Sequence, residues 1–264
     1  MNKRWQGILL AIQFFSVLPI RREIPMNTTQ LRGAILFLPW LGSLLGSLTL
    51  LISYLLVNYT TMSMAGVAAI SLVTMIVWTG GIHLDGWMDT SDAFFSYQPT
   101  ADRLKIMDDP RTGAFGVISV IVLLVLRFIF MMEVLNLSFF YFVIGIIGIP
   151  FVARMKILAH FVWTPLAKRE GLSFLFSRSM QANHIITSFV CMMIIGIVLT
   201  SIWSSLLLPI ILLFGCSIAM FFLGRYVIRQ SFGGITGDVL GAVVEGGEAV
   251  LWIVLWICTL FVIV

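Results

Sequence analysis

Long apolar runs, separated by short polar segments, dominate this sequence. Each run is continuous and rich in leucine and isoleucine, as is typical of membrane-spanning helices, whereas spanning strands show short segments of alternating polarity. The pattern therefore predicts an all-α, polytopic integral membrane protein with about seven transmembrane helices. Their predicted ranges are 34–57, 62–79, 117–132, 139–152, 185–203, 206–223 and 249–264.

The amino-terminal stretch 5–20 has a different pattern. Its apolar part is short, and basic residues flank it on both sides, Lys3 and Arg4 before it and Arg21 and Arg22 after it. Positive charge at both ends argues against a membrane crossing, so we expect an interfacial or re-entrant helix. A cleaved signal peptide is the alternative, but no small-residue cleavage site follows the stretch.

Composition agrees with the pattern. Hydrophobic residues make up 60% of the 264 residues, only 11% are charged, and the mean hydropathy is +1.06. A soluble domain of this size does not have such a composition. The polar segments are too short to fold alone, so we expect residues 1–264 to form a single transmembrane catalytic domain.

The charges predict an orientation. With seven spans and the amino terminus inside, the inner segments 1–33, 80–116, 153–184 and 224–248 hold 15 of the 16 basic residues. The exception, Arg127, lies within a span. Positive-inside asymmetry therefore places these segments on the cytoplasmic side of a membrane that the chain crosses several times. Eleven of the 12 acidic residues lie on the same side, so we expect a polar active site there.

The most informative residues are three aspartates that follow the second apolar run, Asp85, Asp89 and Asp92. Their spacing of four and then three residues puts all three carboxylates within an arc of about 60° on a helix. Like charges on one stripe near lipid repel one another. A hard divalent cation, Mg²⁺ or Mn²⁺, explains the stripe, because such ions bind carboxylate oxygens and commonly bridge to substrate phosphates. A solvated helix end is the alternative.

The segment 101–116 adds charges of both signs. Asp108 and Asp109 can complete a metal site, and the cations Arg103, Lys105 and Arg111 can hold phosphate oxygens. We expect Pro110 to end a helix and the glycines at 113 and 116 to permit a tight turn before the next span.

Two further segments lie on the same side. In 153–171, Lys168 and Arg169 follow a proline in a polar loop and are candidate anion contacts, while Arg154 and Lys156 can be snorkelling anchors at a helix end. In 231–248, glycines and Thr236 precede a predicted helix start whose backbone N–H groups can cradle phosphate. There Asp238, Gly241 and Glu245 share one face, and Gly237 and Gly241 allow another helix to approach closely.

These clusters predict Mg²⁺-assisted displacement at phosphorus, in which a carboxylate takes the proton of an attacking hydroxyl. The sequence has no Gly-x-x-x-x-Gly-Lys-Ser/Thr loop, which disfavours hydrolysis of a nucleoside triphosphate.

Three motifs give the chain a resemblance to the cobalamin synthase family, the adenosylcobinamide-GDP ribazoletransferases. The family's His-Leu/Glu-Asp-Gly-x-x-Asp-Thr-x-Asp signature resembles His83-Leu84-Asp85-Gly86-Trp-Met-Asp89-Thr90-Ser-Asp92. Its second and third motifs are similar to Ile106-Met107-x-Asp109-Pro-Arg111-x-Gly113-Ala-Phe-Gly116 and Gly233-Gly234-Ile-Thr236-Gly237-Asp238-x-Leu240-Gly241-Ala242-x-x-Glu245. The early Phe14-Phe15-x-x-Leu-Pro19 and Pro39-x-x-Gly42 also fit, so the resemblance covers nearly the whole chain.

The resemblance implies the final assembly step of cobalamin (vitamin B12) biosynthesis. The ribose hydroxyl of α-ribazole or of α-ribazole 5′-phosphate attacks the cobinamide phosphate of adenosylcobinamide-GDP. GMP leaves, adenosylcobalamin or its 5′-phosphate forms, and Mg²⁺ is required. The chain departs from the family pattern at Ala93, where glycine is common, and at Asp108, where lysine is common.

We therefore assign the metal to Asp85, Asp89, Asp92 and Asp109, with Asp89 or Asp92 as the proton acceptor. His83 is expected to orient a substrate. The remaining substrate-binding candidates are Arg103, Lys105, Arg111, Arg154, Lys168, Arg169, Thr236, Asp238 and Glu245. The expected partners are the two substrates, the lipid bilayer and other membrane enzymes of the pathway, and no nucleic acid.

Two other functions stay open on the sequence. A membrane phosphotransferase of the CDP-alcohol class also uses an aspartate-rich Mg²⁺ site, but its longer Asp-Gly-x-x-Ala-Arg and Gly-x-x-x-Asp-x-x-x-Asp pattern is absent here. A cation or solute carrier would place ionisable groups near mid-membrane on several spans, with inverted repeats. Only Arg127 and His160 are candidates for such groups, and the sequence shows no repeat.

Overall fold

The computed structural model describes residues 3–262, with the side chains of residues 4 and 262 left out of the description. Over this range the regular secondary structure is helical, including a short 3₁₀ turn at Ser204–Leu206, apart from one isolated β-bridge. The helices are α1 (Lys3–Phe15), α2 (Thr28–Tyr59), α3 (Met64–Thr79), α4 (Ile82–Phe95), α5 (Thr100–Met107), α6 (Ala114–Leu137), α7 (Phe139–Trp163), α8 (Gly171–Ser179), α9 (Ala182–Ile202), α10 (Leu207–Phe232) and α11 (Gly237–Val262).

Six of these helices, α2, α6, α7, α9, α10 and α11, are long and apolar enough to cross a membrane. The bent pair of α3 and α4 makes a seventh candidate. The predicted all-α, multi-pass fold with about seven spans is therefore confirmed. Helix α1 has 13 residues and a length of about 20 Å, less than the apolar thickness of a bilayer, in agreement with its expected non-spanning position.

Several predicted helix ends are wrong. Helix α7 continues to Trp163 rather than 152, α10 continues to Phe232 rather than 223, and α11 begins at Gly237 rather than 249. The local hydropathy falls in these segments because they carry charged residues, but charges on α6, α7 and α11 pair with one another inside the bundle, as described below. The last two residues of the predicted final span, 263 and 264, lie outside the described residues.

Two consecutive glycines separate α3 from α4. Gly80 and Gly81 have φ angles of +65° and +74°, a left-handed conformation that side chains other than glycine rarely adopt. The two helix axes consequently meet at 90°. Helix α4 therefore lies across the end of α3 and does not continue in its direction.

Helix α7 is the most buried span, and it packs against α2 through glycines. A Cβ atom added to Gly42 would stand 2.8 Å from the carbonyl oxygen of Pro150, and one added to Gly46 would collide with the backbone at Ile146. Small residues let two helix backbones approach closely, which is how helices associate in lipid. Helices α2 and α7 therefore pack closely against each other.

The charged loops meet at one end of the bundle, which we call the polar end. It contains α1, α4, α5 and α8, the first turns of α2, α6 and α11, and the last turns of α3, α7 and α10. Backbone contacts join these parts; for example, the Val17 N–H donates to the Trp78 carbonyl at 2.9 Å. At the opposite end, the Tyr141 hydroxyl lies 3.5 Å from the Ser205 carbonyl oxygen. The helix order thus brings the sequence segments of interest to the same end.

Candidate active site

The three aspartates of the first motif lie on one continuous helix, α4, as their spacing predicts. Asp85 is exposed, and Asp89 and Asp92 are half-buried. The negative charges of Asp85, Asp238 and Asp92 all act on the Asp89 carboxylate. This concentration of negative charge is unfavourable by itself, so the arrangement favours a bound cation.

Helix α11 brings Asp238 to this stripe through direct backbone contact. Gly86 of α4 lies against Asp238, and Gly241 lies against the carbonyl oxygen and Cα of His83. The predicted close approach is therefore confirmed at Gly241. It is wrong at Gly237, where an added Cβ would meet nothing within 4 Å. The contact joins the first and third motifs.

Asp92 connects the stripe to the start of α6. Its Oδ2 atom accepts the Gly113 N–H and its Oδ1 atom accepts the Gly116 N–H, both at 2.7 Å. A side chain on either glycine would collide with this carboxylate. These glycines are thus explained by the close approach of Asp92, and Gly113, with φ −84°, forms no special turn. Asp92 satisfies two of the free N–H groups at a helix start.

Asp109 is held by its neighbour Arg111. Its Oδ1 accepts the Arg111 backbone N–H at 3.0 Å and the Nε–H at 2.9 Å, and its Oδ2 accepts from Nη2 at 2.6 Å. These hydrogen bonds from the Arg111 side chain and backbone lower the pKa of Asp109 to about 2, so it is ionised at physiological pH. The Arg111 guanidinium remains exposed to solvent.

The other basic candidates of this region lie nearby. Lys105 is exposed and contacts Asp102 at 2.8 Å, and this hydrogen bond raises the pKa of Lys105. The Arg103 guanidinium lies 5.6 Å from the centre of the Phe94 ring, at the end of α4. The positions of these two side chains are thus set by helices α4 and α5.

A short backbone pairing joins the loop after α7 to the loop after α10. The Ile235 N–H donates to the Pro165 carbonyl at 2.8 Å, and the Ala167 N–H donates to the Ile235 carbonyl at 3.0 Å. Gly234 is required there because a Cβ would collide with the backbone of Pro165 and Ala167. The pairing places Lys168 and Arg169, which follow Ala167, close to the third motif.

Lys168 lies at this junction and forms an ion pair with Asp108. Its charge also acts on Asp238. Arg169 is exposed in the same loop. Asp108, one of the two departures from the family pattern, thus has a partner on a different loop. Ala93, the other departure, is a fully buried residue within α4, where a helical residue needs no glycine.

Thr236 immediately precedes helix α11. Its hydroxyl oxygen accepts the Val239 N–H at 3.2 Å, and it lies 3.3 Å from the sulfur of Met107. The side chain is buried, so in this structure Thr236 caps the helix and contacts α5. It fixes the position of the first turn of α11, where Asp238 lies.

A buried ion-pair network lies beneath the aspartates. Arg127 of α6 donates to Glu245 at 2.7 Å and forms an ion pair with Glu248, both on α11. Arg154 of α7 donates to Glu248 at 2.8 Å and to the Pro150 carbonyl at 3.1 Å. All four side chains are at most 8% exposed. The structure therefore places Arg154 and Glu245, both sequence candidates for substrate contact, inside the bundle, where they join α6, α7 and α11.

His83 lies between the aspartate stripe and this network. Its ring is buried and stacks on Phe15 of α1, with 6.3 Å between ring centres. Neither ring nitrogen has a hydrogen-bond partner among the described residues, and the charges of Arg154 and Arg127 act on it. His83 therefore contacts helices on both sides of the stripe and is placed to position α4.

Within residues 3–262, no group of three His, Cys, Asp or Glu side chains is already arranged to hold a metal ion. Mg²⁺ commonly takes one or two carboxylates, keeps several waters and obtains further oxygens from substrate phosphates. Asp85 and Asp89 fit such a site: both are carboxylates on one helix face, and Asp89 is half-buried among other negative charges.

Sequence reasoning missed the importance of Glu248 and Arg127. The sequence pattern identifies Arg127 as the one basic residue within a predicted span and as a candidate ionisable group of a carrier. A charge in such a position needs a partner inside the bundle, and the glutamates three residues apart on α11 supply one. The sequences of α6 and α11 both contain these charged residues, but the sequence does not show that the two helices are neighbours.

The chain is similar to known proteins over its full length. The family described as cobalamin-5-phosphate synthase matches residues 7–256. A relative from Geobacillus sp. (strain WCH70), named adenosylcobinamide-GDP ribazoletransferase, is 34% identical over 100% of both chains. Relatives of the same name are 35% identical in Geobacillus kaustophilus (strain HTA426), over 97% of both chains, and 31% identical in Clostridium botulinum (strain 657 / Type Ba4), over 97% and 99%. None of the solved structures matches the chain.

Proposed function

The chain belongs to the cobalamin-5-phosphate synthase family, and on this premise we propose that it transfers adenosylcobinamide phosphate from adenosylcobinamide-GDP to α-ribazole or α-ribazole 5′-phosphate. The reaction releases GMP and gives adenosylcobalamin or its 5′-phosphate. This is the final assembly step of cobalamin. The observation that supports the proposal most strongly is the family match across nearly the whole chain.

The geometry of the polar end agrees with this chemistry. Three segments far apart in sequence meet there: α4 contacts α11 at Gly86 and Asp238, and it contacts the start of α6 through Asp92. Carboxylates lie at the centre of this junction and exposed cations lie around it. A diphosphate substrate needs both, because its charge must be neutralised and its oxygens held by donors.

We assign Asp85 and Asp89 as the residues that would hold Mg²⁺, with Asp238 beside them. Such an ion, when bound, neutralises charge on the diphosphate and stabilises the charge that develops at phosphorus. Asp92 and Asp109, the other two expected ligands, are already engaged with N–H groups and with Arg111, although each carboxylate keeps further lone pairs.

The proton of the attacking hydroxyl is assigned to Asp89. As the oxygen–phosphorus bond forms, the hydroxyl proton moves to this carboxylate, and the bond between the phosphorus and the oxygen of GMP breaks. Asp89 is preferred to Asp92 because both oxygens of Asp92 accept backbone N–H groups.

Exposed cations are assigned to the phosphate oxygens of the substrates. Arg111 and Arg169 are exposed at the polar end, and Lys168 lies at the junction of two loops. Lys105 and Arg103 on and beside α5 form the border of the same surface. His83 and Thr236 position α4 and α11 rather than contact substrate.

The polar end is assigned to the cytoplasmic side of the bacterial inner membrane. The excess of lysine and arginine in the segments that meet there supports this orientation. Association with other membrane enzymes of the pathway would supply the corrinoid substrate at the same surface.

The experiment uses the full chain, purified in an uncharged detergent. It is incubated with adenosylcobinamide-GDP and α-ribazole in the presence of Mg²⁺, and the release of GMP and formation of adenosylcobalamin are measured together. Equal amounts of both products are expected. No release of GMP, but release of CMP from a CDP-alcohol with a second alcohol, would instead identify a CDP-alcohol phosphotransferase. Transport of a solute into vesicles without either product would identify a carrier.

A further inference from the structure

A groove separate from the aspartates opens on the side of the bundle between α7, α9 and α10. Its volume is about 440 Å³, and aromatic and methionine side chains such as Phe189, Met193 and Phe214 form most of its wall. Ligand-binding pockets are commonly of this size and are mostly apolar. Because α9 and α10 are the least buried spans, the groove faces the lipid.

The groove is cationic at the end that lies toward the polar end of the bundle. The Lys156 amine is buried in the wall, where its only hydrogen-bond partner among the described residues is the sulfur of Met220 at 3.8 Å. Arg225 also contributes to the wall, and its Nε atom is buried without a hydrogen-bond partner. The groove thus joins an apolar channel to two basic side chains that have no oxygen acceptor among the described residues.

Arg225 extends this groove toward the surface. It also lines a second depression of about 400 Å³ with Arg229 and Gln230, on the last turns of α10. Among the described residues, no carboxylate is within ion-pair distance of Lys156, Arg225 or Arg229. Neither α9 nor α10 contains an acidic residue. The guanidinium charges of Arg225 and Arg229 therefore have no ion-pair partner in the part of the chain that the structure describes.

We propose that the groove between α7, α9 and α10 binds one anionic phospholipid, with an acyl chain along the apolar wall and the phosphate at Arg225 and Arg229. The two parts of a phospholipid match the two parts of the site. Charged headgroups lie at the level of the last helical turns, and basic residues there bind anionic lipids. A free phosphate would leave the apolar channel unfilled. A second copy of the chain that packed here through its own α9 and α10 would bring no acidic residue to neutralise Arg225 and Arg229.

This inference is independent of the reaction catalysed at the aspartates. A lipid here would contact the last turns of α7 and α10, which lead into the loops paired at Pro165 and Ile235. Its binding would therefore stabilise the polar end.

The test uses native mass spectrometry and thermal unfolding of the full-length protein in an uncharged detergent. We expect one phosphatidylglycerol per chain to remain bound, and a higher unfolding midpoint with phosphatidylglycerol than with phosphatidylcholine. Arg225→Gln with Arg229→Gln should weaken binding of phosphatidylglycerol by about tenfold or more. The matched control, Arg21→Gln with Arg178→Gln, removes two exposed cations elsewhere and should behave as the wild type.

A second variant tests the apolar part separately. Ala159 is buried in the groove wall, and Ala159→Leu fills the channel while leaving the cations in place. It should lose the retained lipid. Equal binding of phosphatidylcholine, lipid retention by both groove variants, competition by soluble glycerol phosphate alone, or a dimer in place of bound lipid would each overturn the proposal.

Discussion

Gly86 of α4 lies against Asp238 of α11, where an added Cβ would stand 2.7 Å from the Asp238 carbonyl oxygen. Gly86→Ala should therefore push α4 away from α11 and displace the stripe. Overpacking costs about 1–3 kcal/mol, and we expect a lower unfolding temperature together with a large loss of GMP release. Gly148→Ala is the control, because a Cβ at Gly148 meets nothing within 4 Å. Equal stability and activity of both variants would contradict the contact.

Asp85→Asn and Asp89→Asn should change the dependence of the reaction on Mg²⁺. Each removes a carboxylate from the proposed metal site, so the Mg²⁺ concentration for half-maximal activity should rise by about tenfold or more. Asp89→Asn should also lower kcat by about 10²–10⁴-fold, the usual contribution of a general base.

The measurement is GMP release over a Mg²⁺ titration. Asp102→Asn, an exposed carboxylate paired with Lys105, provides the matched control. Unchanged kcat and unchanged Mg²⁺ dependence in both variants would remove Asp85 and Asp89 from the site.

Asp92→Ala should release the start of α6. The variant leaves the Gly113 and Gly116 N–H groups without their acceptor, at a cost of about 1–3 kcal/mol. Hydrogen exchange of the amides at 113–117 should accelerate, and activity should fall with it. If exchange in this segment is unaffected, the hydrogen bonds to Asp92 contribute nothing to its order.

Glu248→Gln should destabilise the protein more than any change at an exposed ion pair. It leaves Arg127 and Arg154 facing a neutral amide inside the bundle, and breaking a buried pair costs about 3–5 kcal/mol. Lys105→Gln, which breaks an exposed pair, should cost about 0–1 kcal/mol. The comparison is made by thermal unfolding in the same detergent, and similar midpoints for the two variants would argue against the network.

Lys168→Gln should raise KM for adenosylcobinamide-GDP by about tenfold, the value of one charge-assisted hydrogen bond. Asp108→Asn should lower this KM, because it frees Lys168 from its ion pair and makes the amine available to phosphate. Steady-state GMP release measures both. A rise of KM in both variants would show that the ion pair itself, rather than free Lys168, serves binding.

The sequence predicted the features that depend on local pattern. Continuous apolar runs gave the spans, charge asymmetry gave the polar end, and the spacing of Asp85, Asp89 and Asp92 gave one helical stripe. The helix ends at Trp163, Phe232 and Gly237 were wrong because hydropathy treats each charge as solvated. Arg127 and Arg154 pair with Glu245 and Glu248 across α6, α7 and α11, so α7 and α11 continue past these charges.

The partners of individual site residues were beyond the sequence for a related reason. Asp92 bonds to amides 21 and 24 positions away, and Lys168 pairs with a residue 60 positions away. No short-range pattern encodes such contacts. The glycines at 113 and 116 pointed to a close approach, and only the packing of α4 on α6 shows that a carboxylate is what approaches.

The backbone pairing of Pro165 and Ala167 with Ile235 has a consequence for how the enzyme meets its substrates. Backbone hydrogen bonds join the loop after α7 to the loop after α10, so neither loop can shift without displacing the other. An anion bound by Lys168 and Arg169 would therefore order the glycine-rich loop 233–237 before the second substrate binds. We therefore expect these hydrogen bonds to affect the order in which the two substrates bind, rather than the affinity for either substrate alone.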